Sequence, residues 1–102
     1  MTTATGFFRV EVHSKFPMAT RPHGIVARQF ILDALLANDG VELDFENSSP
    51  TPSFADECIG VLASTLGLGT FKSRVRLANV PEPSKILIKH VVLRRTREIV
   101  SA

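Results

Sequence analysis

The 102-residue sequence predicts an α/β domain, and three observations carry that prediction. Apolar/polar alternation recurs at residues 7–13, 41–46 and 71–79, the period of a half-buried strand. Between and after these runs lie longer stretches with apolar residues three and four apart, the period of a helix. The two patterns take turns along the chain in the order β(β)αβαβα, which implies a largely parallel or mixed sheet. The expected architecture is a mixed four-stranded sheet with about three helices, in a single domain over residues 1–102.

Each element follows from its residues. In "FFRVEVH", Phe8, Val10 and Val12 share one face while Arg9, Glu11 and His13 share the other. A short second strand is expected around Lys15–Met18, before Pro22 breaks the chain. Thr20 can cap the first helix and Pro22 suits its first turn, where a missing N–H costs nothing. Ala27, Phe30, Ile31, Ala34 and Leu35 form its apolar stripe. Gly40, in "NDG", is expected to end it in the left-handed conformation. "VELDFE" alternates, with Val41, Leu43 and Phe45 inward. The next helix should run from about Ser53 to Leu66, with Phe54, Cys58, Leu62 and Leu66 on one face and Gly67 and Gly69 closing it. "FKSRVRLAN" reads as the last strand, with Phe71, Val75 and Leu77 inward. The segment from Ser84 has a strand-like Ile/Val content, but its unbroken length of about 16 residues favours a helix with Leu87, Ile88, Val91, Val92 and Arg95 on one face.

Polar alternation on the strands implies that one sheet face is polar, because doubly covered parallel strands read as continuous apolar runs; the pattern leaves open whether that face is bare, covered by a helix or used in a dimer. Glu42, Asp44 and Glu46 on one strand would pair with Lys72, Arg74 and Arg76 on another if the two are neighbours. That pairing would absorb an uneven charge distribution. Residues 1–71 hold four Lys/Arg and eight Asp/Glu, and residues 72–102 hold eight and two. Apolar residues make up 44% of the chain, enough for one small core. No run of 18 apolar residues occurs, so no segment reads as a transmembrane helix. The start lacks a signal-peptide pattern and Cys58 is the single cysteine, which together point to a cytoplasmic setting.

"VELDFEN…SFADECIGVLASTLG…FKSRVRLAN" resembles the STAS-like family of small bacterial and archaeal proteins, over roughly residues 20–95. Its hallmark is an "LDF" strand, a short loop and "SFADE" at a helix start. That family is similar in turn to STAS domains, including anti-sigma factor antagonists. The resemblance implies a non-enzymatic regulatory domain that binds a protein partner, best guessed as an ATPase of the histidine-kinase type. The partner would meet the 47–57 loop and helix start, with Ser53, Phe54, Asp56 and Glu57 as contact residues. In the antagonists a serine at this helix start is phosphorylated by the partner, and it aligns with Ser53. This chain departs from their Asp-Ser-Ser/Thr-Gly motif: Pro52, Phe54 and Ala55 stand where that motif has Asp, Ser/Thr and Gly.

The residues also permit a plainer account of Ser53. Ser-x-x-Asp is a capping-box spacing, so Ser53 can cap the helix. A phosphate there would suit the helix dipole but would be repelled by Asp56 and Glu57. Adjacent helical carboxylates diverge by about 100°, so Asp56 and Glu57 converge poorly for acid–base work. Cys58 sits on the apolar stripe as a buried thiol. His13, His23 and His90 lack ligand spacing, and no phosphate-binding glycine motif occurs. Neither catalytic residues, a metal nor a cofactor is therefore expected. Two alternatives stand beside the regulatory one: a constitutive accessory subunit of a toxin–antitoxin or phage-defence assembly, and nucleic-acid binding through the basic C-terminal helix with Arg94 and Arg95. The second is disfavoured by the absence of Trp, Tyr and any nucleic-acid motif.

Overall fold

The computed structural model describes residues 6–101, with side chains over residues 6–97. Strand β1 (Phe7–Glu11) leads into a single helical turn, α1 (Val12–Lys15), and then α2 (Arg21–Ala37). Strand β2 (Gly40–Asp44) is followed by a loop and a continuous helical rod over residues 52–66. The rod consists of α3 (Pro52–Ala55), a π-helical turn (Asp56–Gly60) and α4 (Val61–Leu66). Helix α5 (Leu68–Arg74), strand β3 (Val75–Ala78) and helix α6 (Glu82–Ser101) complete the chain.

The described residues form a three-stranded sheet in the order β1-β2-β3, parallel throughout, where the sequence suggested four strands in a mixed sheet. The expected strand at Lys15–Met18 is absent because Val12–Lys15 closes a helical turn. Phe16 and Met18 instead drop into the core, each 8% exposed. Strand order follows chain order, so right-handed crossovers place both connections on the same face. That face buries Val10, Val41, Leu43 and Val75 against Ala27, Ile31 and the rod. The rod contributes Phe54, Cys58, Ile59 and Leu62, and α6 lies against it with Ile88, Val91 and Val92 buried.

The opposite face carries Phe7, Arg9, Glu42 and Arg76. Arg9 ion-pairs with Glu42 at 2.8 Å and with Asp44, while the Arg76 guanidinium lies 3.8 Å from the Phe7 ring centroid. The expected pairing of β2 acids with β3 bases is thus replaced by pairing with β1. Glu42 and Arg76 do stand opposite one another in register. Arg9 reaches two carboxylates at once, and Arg76 finds an aromatic face instead.

Arg74 does not point outward from a strand. It ends α5, and its Nη2 donates to the Leu35 and Asn38 carbonyls at 2.6 and 2.8 Å, its Nε to Asp39 O at 2.8 Å. It thereby caps the carboxyl end of α2, the charge that a helix C-terminus favours. Gly40 is not that helix's left-handed cap; it is the first residue of β2. A Cβ there would meet Arg74 O and the Phe7 ring, each at 2.5 Å. Since one of those atoms is backbone, Gly40→Ala should lower stability by about 1–3 kcal/mol, measured by urea denaturation of the two proteins side by side.

Candidate functional site

The carboxyl ends of parallel strands are where open α/β sheets place their ligands, and the most elaborate local structure of this chain is found there. Asp44 ends β2. Its Oδ1 accepts from the Glu46 N–H at 2.8 Å and from Asn79 Nδ2 at 2.9 Å, and Arg9 Nη2 donates to its Oδ2. The Asn79 bond and then the Glu46 amide hold the Asp44 carboxyl below its ordinary range. Glu46 in turn accepts from both the Ser14 hydroxyl and amide at 2.7 Å, which lowers its carboxyl as well.

These anchors support unusual backbone. Glu46, Asn47 and Asn79 all have positive φ, at 54°, 59° and 53°. Asn79 and Asn47 are residue types that tolerate this region, but Glu46 is not; the Asp44 and Ser14 bonds fix it there. Beyond this kink, Thr51 N and Oγ1 donate to the Met18 and Ala19 carbonyls at 3.0 and 2.9 Å. The loop is therefore held at both ends, while Asn47, Ser49 and Pro52 face solvent.

The helix cap is Thr51, not Ser53: Thr51 Oγ1 accepts the Phe54 amide at 3.2 Å, and Pro52 fills the first helical position. The helix starts before the position inferred from sequence because Pro52 is pre-organised for it. Ser53 lies one step into the first turn, half-buried. Phe54 is wholly buried and Asp56 only 4% exposed. Of the four residues assigned to a partner surface, only Ser53 and Glu57 therefore keep partial access; Phe54 and Asp56 act from beneath.

Asp56 begins the π-helical turn and carries the densest polar cluster. Arg95 of α6 grips it with Nε to Oδ1 at 2.9 Å and Nη2 to Oδ2 at 2.6 Å, and Arg21 of α2 adds Nη1 to Oδ2 at 2.9 Å. The Arg95 bonds outweigh burial and hold its carboxyl at about 2. Gly60, one turn on, leaves the room this needs: a Cβ would lie 3.0 Å from Asp56 Oδ1 and 3.1 Å from Arg95 Cγ. Glu57 pairs with Arg28 at 3.1 Å and Arg21 at 3.2 Å. Within the wide turn the Val61 amide bonds to Asp56 O, so the Glu57 carbonyl loses its usual partner four residues on. Arg28 Nη1 replaces it at 2.6 Å.

Both carboxylates are thus already compensated, which cancels much of the repulsion they would exert on an anion at Ser53. The Cys58 thiol is fully buried and pushed up to about 12 by that burial, so it is not a nucleophile. No group of three His, Cys, Asp or Glu side chains converges among the described residues. The Arg95–Asp56 pair was half legible, since Arg95 fell on the inward face of its helix; an arginine among Ile88, Val91 and Val92 signals a buried acid.

The cluster and the cap make separable predictions. The Asp56 carboxyl is depressed from 3.8, so its contribution is complete above about pH 4 and fades as pH falls through about 2. That loss amounts to about 2 kcal/mol. Asp56→Asn should cost roughly 3 kcal/mol at pH 7 by leaving Arg95 poorly paired and should flatten this acid limb, both read by chemical denaturation across pH. Thr51→Ala should cost about 1 kcal/mol and Ser53→Ala much less, the reverse of what a Ser53 cap would give.

A model of the family described as "STAS-like domain of unknown function (DUF4325)" matches residues 23–85, from the first turn of α2 into the start of α6. No curated protein and no solved structure matches the chain. The matched region spans more than half of the chain and contains β2, the kinked loop, the rod and β3, so the chain belongs to the STAS-like domain family of unknown function.

Proposed function

We propose that this chain is a non-enzymatic regulatory module that binds a protein partner through the loop and helix start over residues 47–57. The observation that carries this is the pairing of a fixed backbone with displayed side chains. The loop is tied down through Asp44, Glu46 and Thr51, yet Asn47, Ser49 and Pro52 are exposed at the carboxyl end of the sheet. A loop ordered in advance loses little conformational freedom on docking.

Ser53 is the proposed switch, and a histidine-kinase-type ATPase the proposed partner. Since Thr51 caps the helix, a modified Ser53 need not cost the helix its cap. A phosphate there lies in the helix's first turn, where the peptide dipoles favour an anion. Asp56 and Glu57, three and four residues on, share its side of the helix. Arg21, half-exposed and bound to both, is the cation within that patch. Phosphorylation would add charge and bulk at the contact surface and release the partner. The nucleic-acid alternative is weakened because Arg95, one of its two leading cations, is bound to Asp56.

Capture from host lysate with and without ATP, followed by intact mass of the recovered chain, tests this. The expected result is an ATPase that is retained without ATP and lost as one phosphate mass appears at Ser53. Ser53→Ala should keep the partner in both conditions, and Ser53→Asp should weaken it about tenfold or more. A partner that stays bound with ATP and no mass change would instead make the chain a constitutive subunit.

A further inference from the structure

A second surface lies on the far side of the sheet's last strand. A groove of about 590 Å³ runs between α5, β3 and α6, floored by apolar side chains that include Phe71, Leu77, Ile88 and Val92. Lys72 of α5 and Lys85 and Lys89 of α6 stand around it. Leu77 is 38% exposed although it is paired in register with the wholly buried Leu43. The difference arises because α6 leans on the rod and leaves the flank of β3 open.

That flank also offers hydrogen bonds. Strand β3 ends the sheet order among the described residues. In a parallel ladder one residue turns its N–H and C=O toward the same neighbour, and the next residue turns the other way. The Ala78 carbonyl accepts from the Phe45 amide beside β2, so Leu77 directs its N–H and C=O outward, next to the groove. An edge of this kind is a template for a further strand.

We propose that an extended segment of a partner protein, with alternating apolar and acidic residues, adds to β3 as a fourth strand. Its apolar side chains fill the groove beside Leu77, and its acids, which alternation places on the opposite face of the added strand, meet the exposed Arg76. Lys72, Lys85 and Lys89, around the groove on the helix side, add to the positive charge of this flank. Among the described residues, only Lys85 of these has an ion-pair partner, Glu82 at 2.7 Å; Arg76 stacks on Phe7. The same charges disfavour a second copy at this edge, because two such flanks would bring like cations together. The surface is separate from the 47–57 loop, which ties to Met18 and Ala19, so either can fail without the other.

The test titrates the ¹⁵N-labelled full chain with a capped seven-residue peptide alternating glutamate and valine. The expected result is saturable amide shifts centred on Leu77 and the groove, with slower hydrogen exchange at the Leu77 amide. Replacing Arg76 by Glu should weaken binding about tenfold or more with an unchanged circular dichroism spectrum, and a lysine–valine peptide should not bind. If that variant loses its fold, the Leu77 exchange rate of the unaltered chain still decides. Absence of saturation at millimolar peptide, shifts confined to other surfaces, a groove that takes dodecanoate but not the peptide, or a β3-dependent dimer in sedimentation would each overturn the proposal.

Discussion

The contact between Asp56 and two arginines is what brings the helical layer together. Asp56 lies on the middle segment of the chain, Arg21 at the first turn of α2, and Arg95 four turns into α6. A carboxylate at 4% exposure is expensive to desolvate, and a single point cation would offset little of that. Here the planar guanidinium of Arg95 supplies two parallel bonds and Arg21 a third, the geometry for which arginine is suited and lysine is not. These bonds tie α2 and α6 to the rod at one residue. Its contribution is therefore to where α6 sits as much as to net stability, and the groove beside β3 exists because α6 is held on the rod.

The π-helical turn under this cluster has its own cause in the residue spacing. The buried apolar side chains of the rod are Phe54 and Ala55, Cys58 and Ile59, Leu62 and Ala63. They recur every four residues, whereas an α-helix repeats every 3.6, so a regular helix would rotate this stripe about 40° per step. A wider turn at Asp56–Gly60 corrects the drift and keeps the pairs facing the sheet. The orphaned Glu57 carbonyl that results is taken up by Arg28.

Much of the fold was legible because it depends on local periodicity: the α/β order, the burial of Val41, Leu43 and Phe45, and the apolar stripe of α2. What was not legible depends on groups far apart in sequence. Arg74 looked like an outward strand residue because nothing local shows that α2 ends beside it. Gly40 looked like a cap because its reason, the Phe7 ring and Arg74 carbonyl, comes from other elements. The rod lies between these cases: the four-residue recurrence of Phe54, Cys58 and Leu62 was visible in the sequence, but the π turn that accommodates it was not read from it. At the candidate site, the "SFADE" stretch correctly marked a helix start, but not which of its residues face outward.

That division within "SFADE" separates side chains that build the frame from side chains that stay accessible. Phe54 and Asp56 point inward, one into the core and one to Arg95, and so fix the helix relative to the sheet and α6. Ser53 and Glu57 keep partial access on the same helix. The loop before them is fixed by bonds to β1–α1 through Ser14, to the α2 approach through Met18 and Ala19, and to the end of β3 through Asn79. Any partner that docks on residues 47–57 therefore meets a surface whose shape is set by every layer of the domain. Disturbing Asp56 would then be felt at Ser53 through the rod that carries both residues. Disturbing Ser53 would be felt less by the core, because Thr51 and not Ser53 caps the helix and Ser53 keeps partial access. This asymmetry fits the proposed regulatory role: a side chain that can change its chemistry while the frame that presents it stays the same.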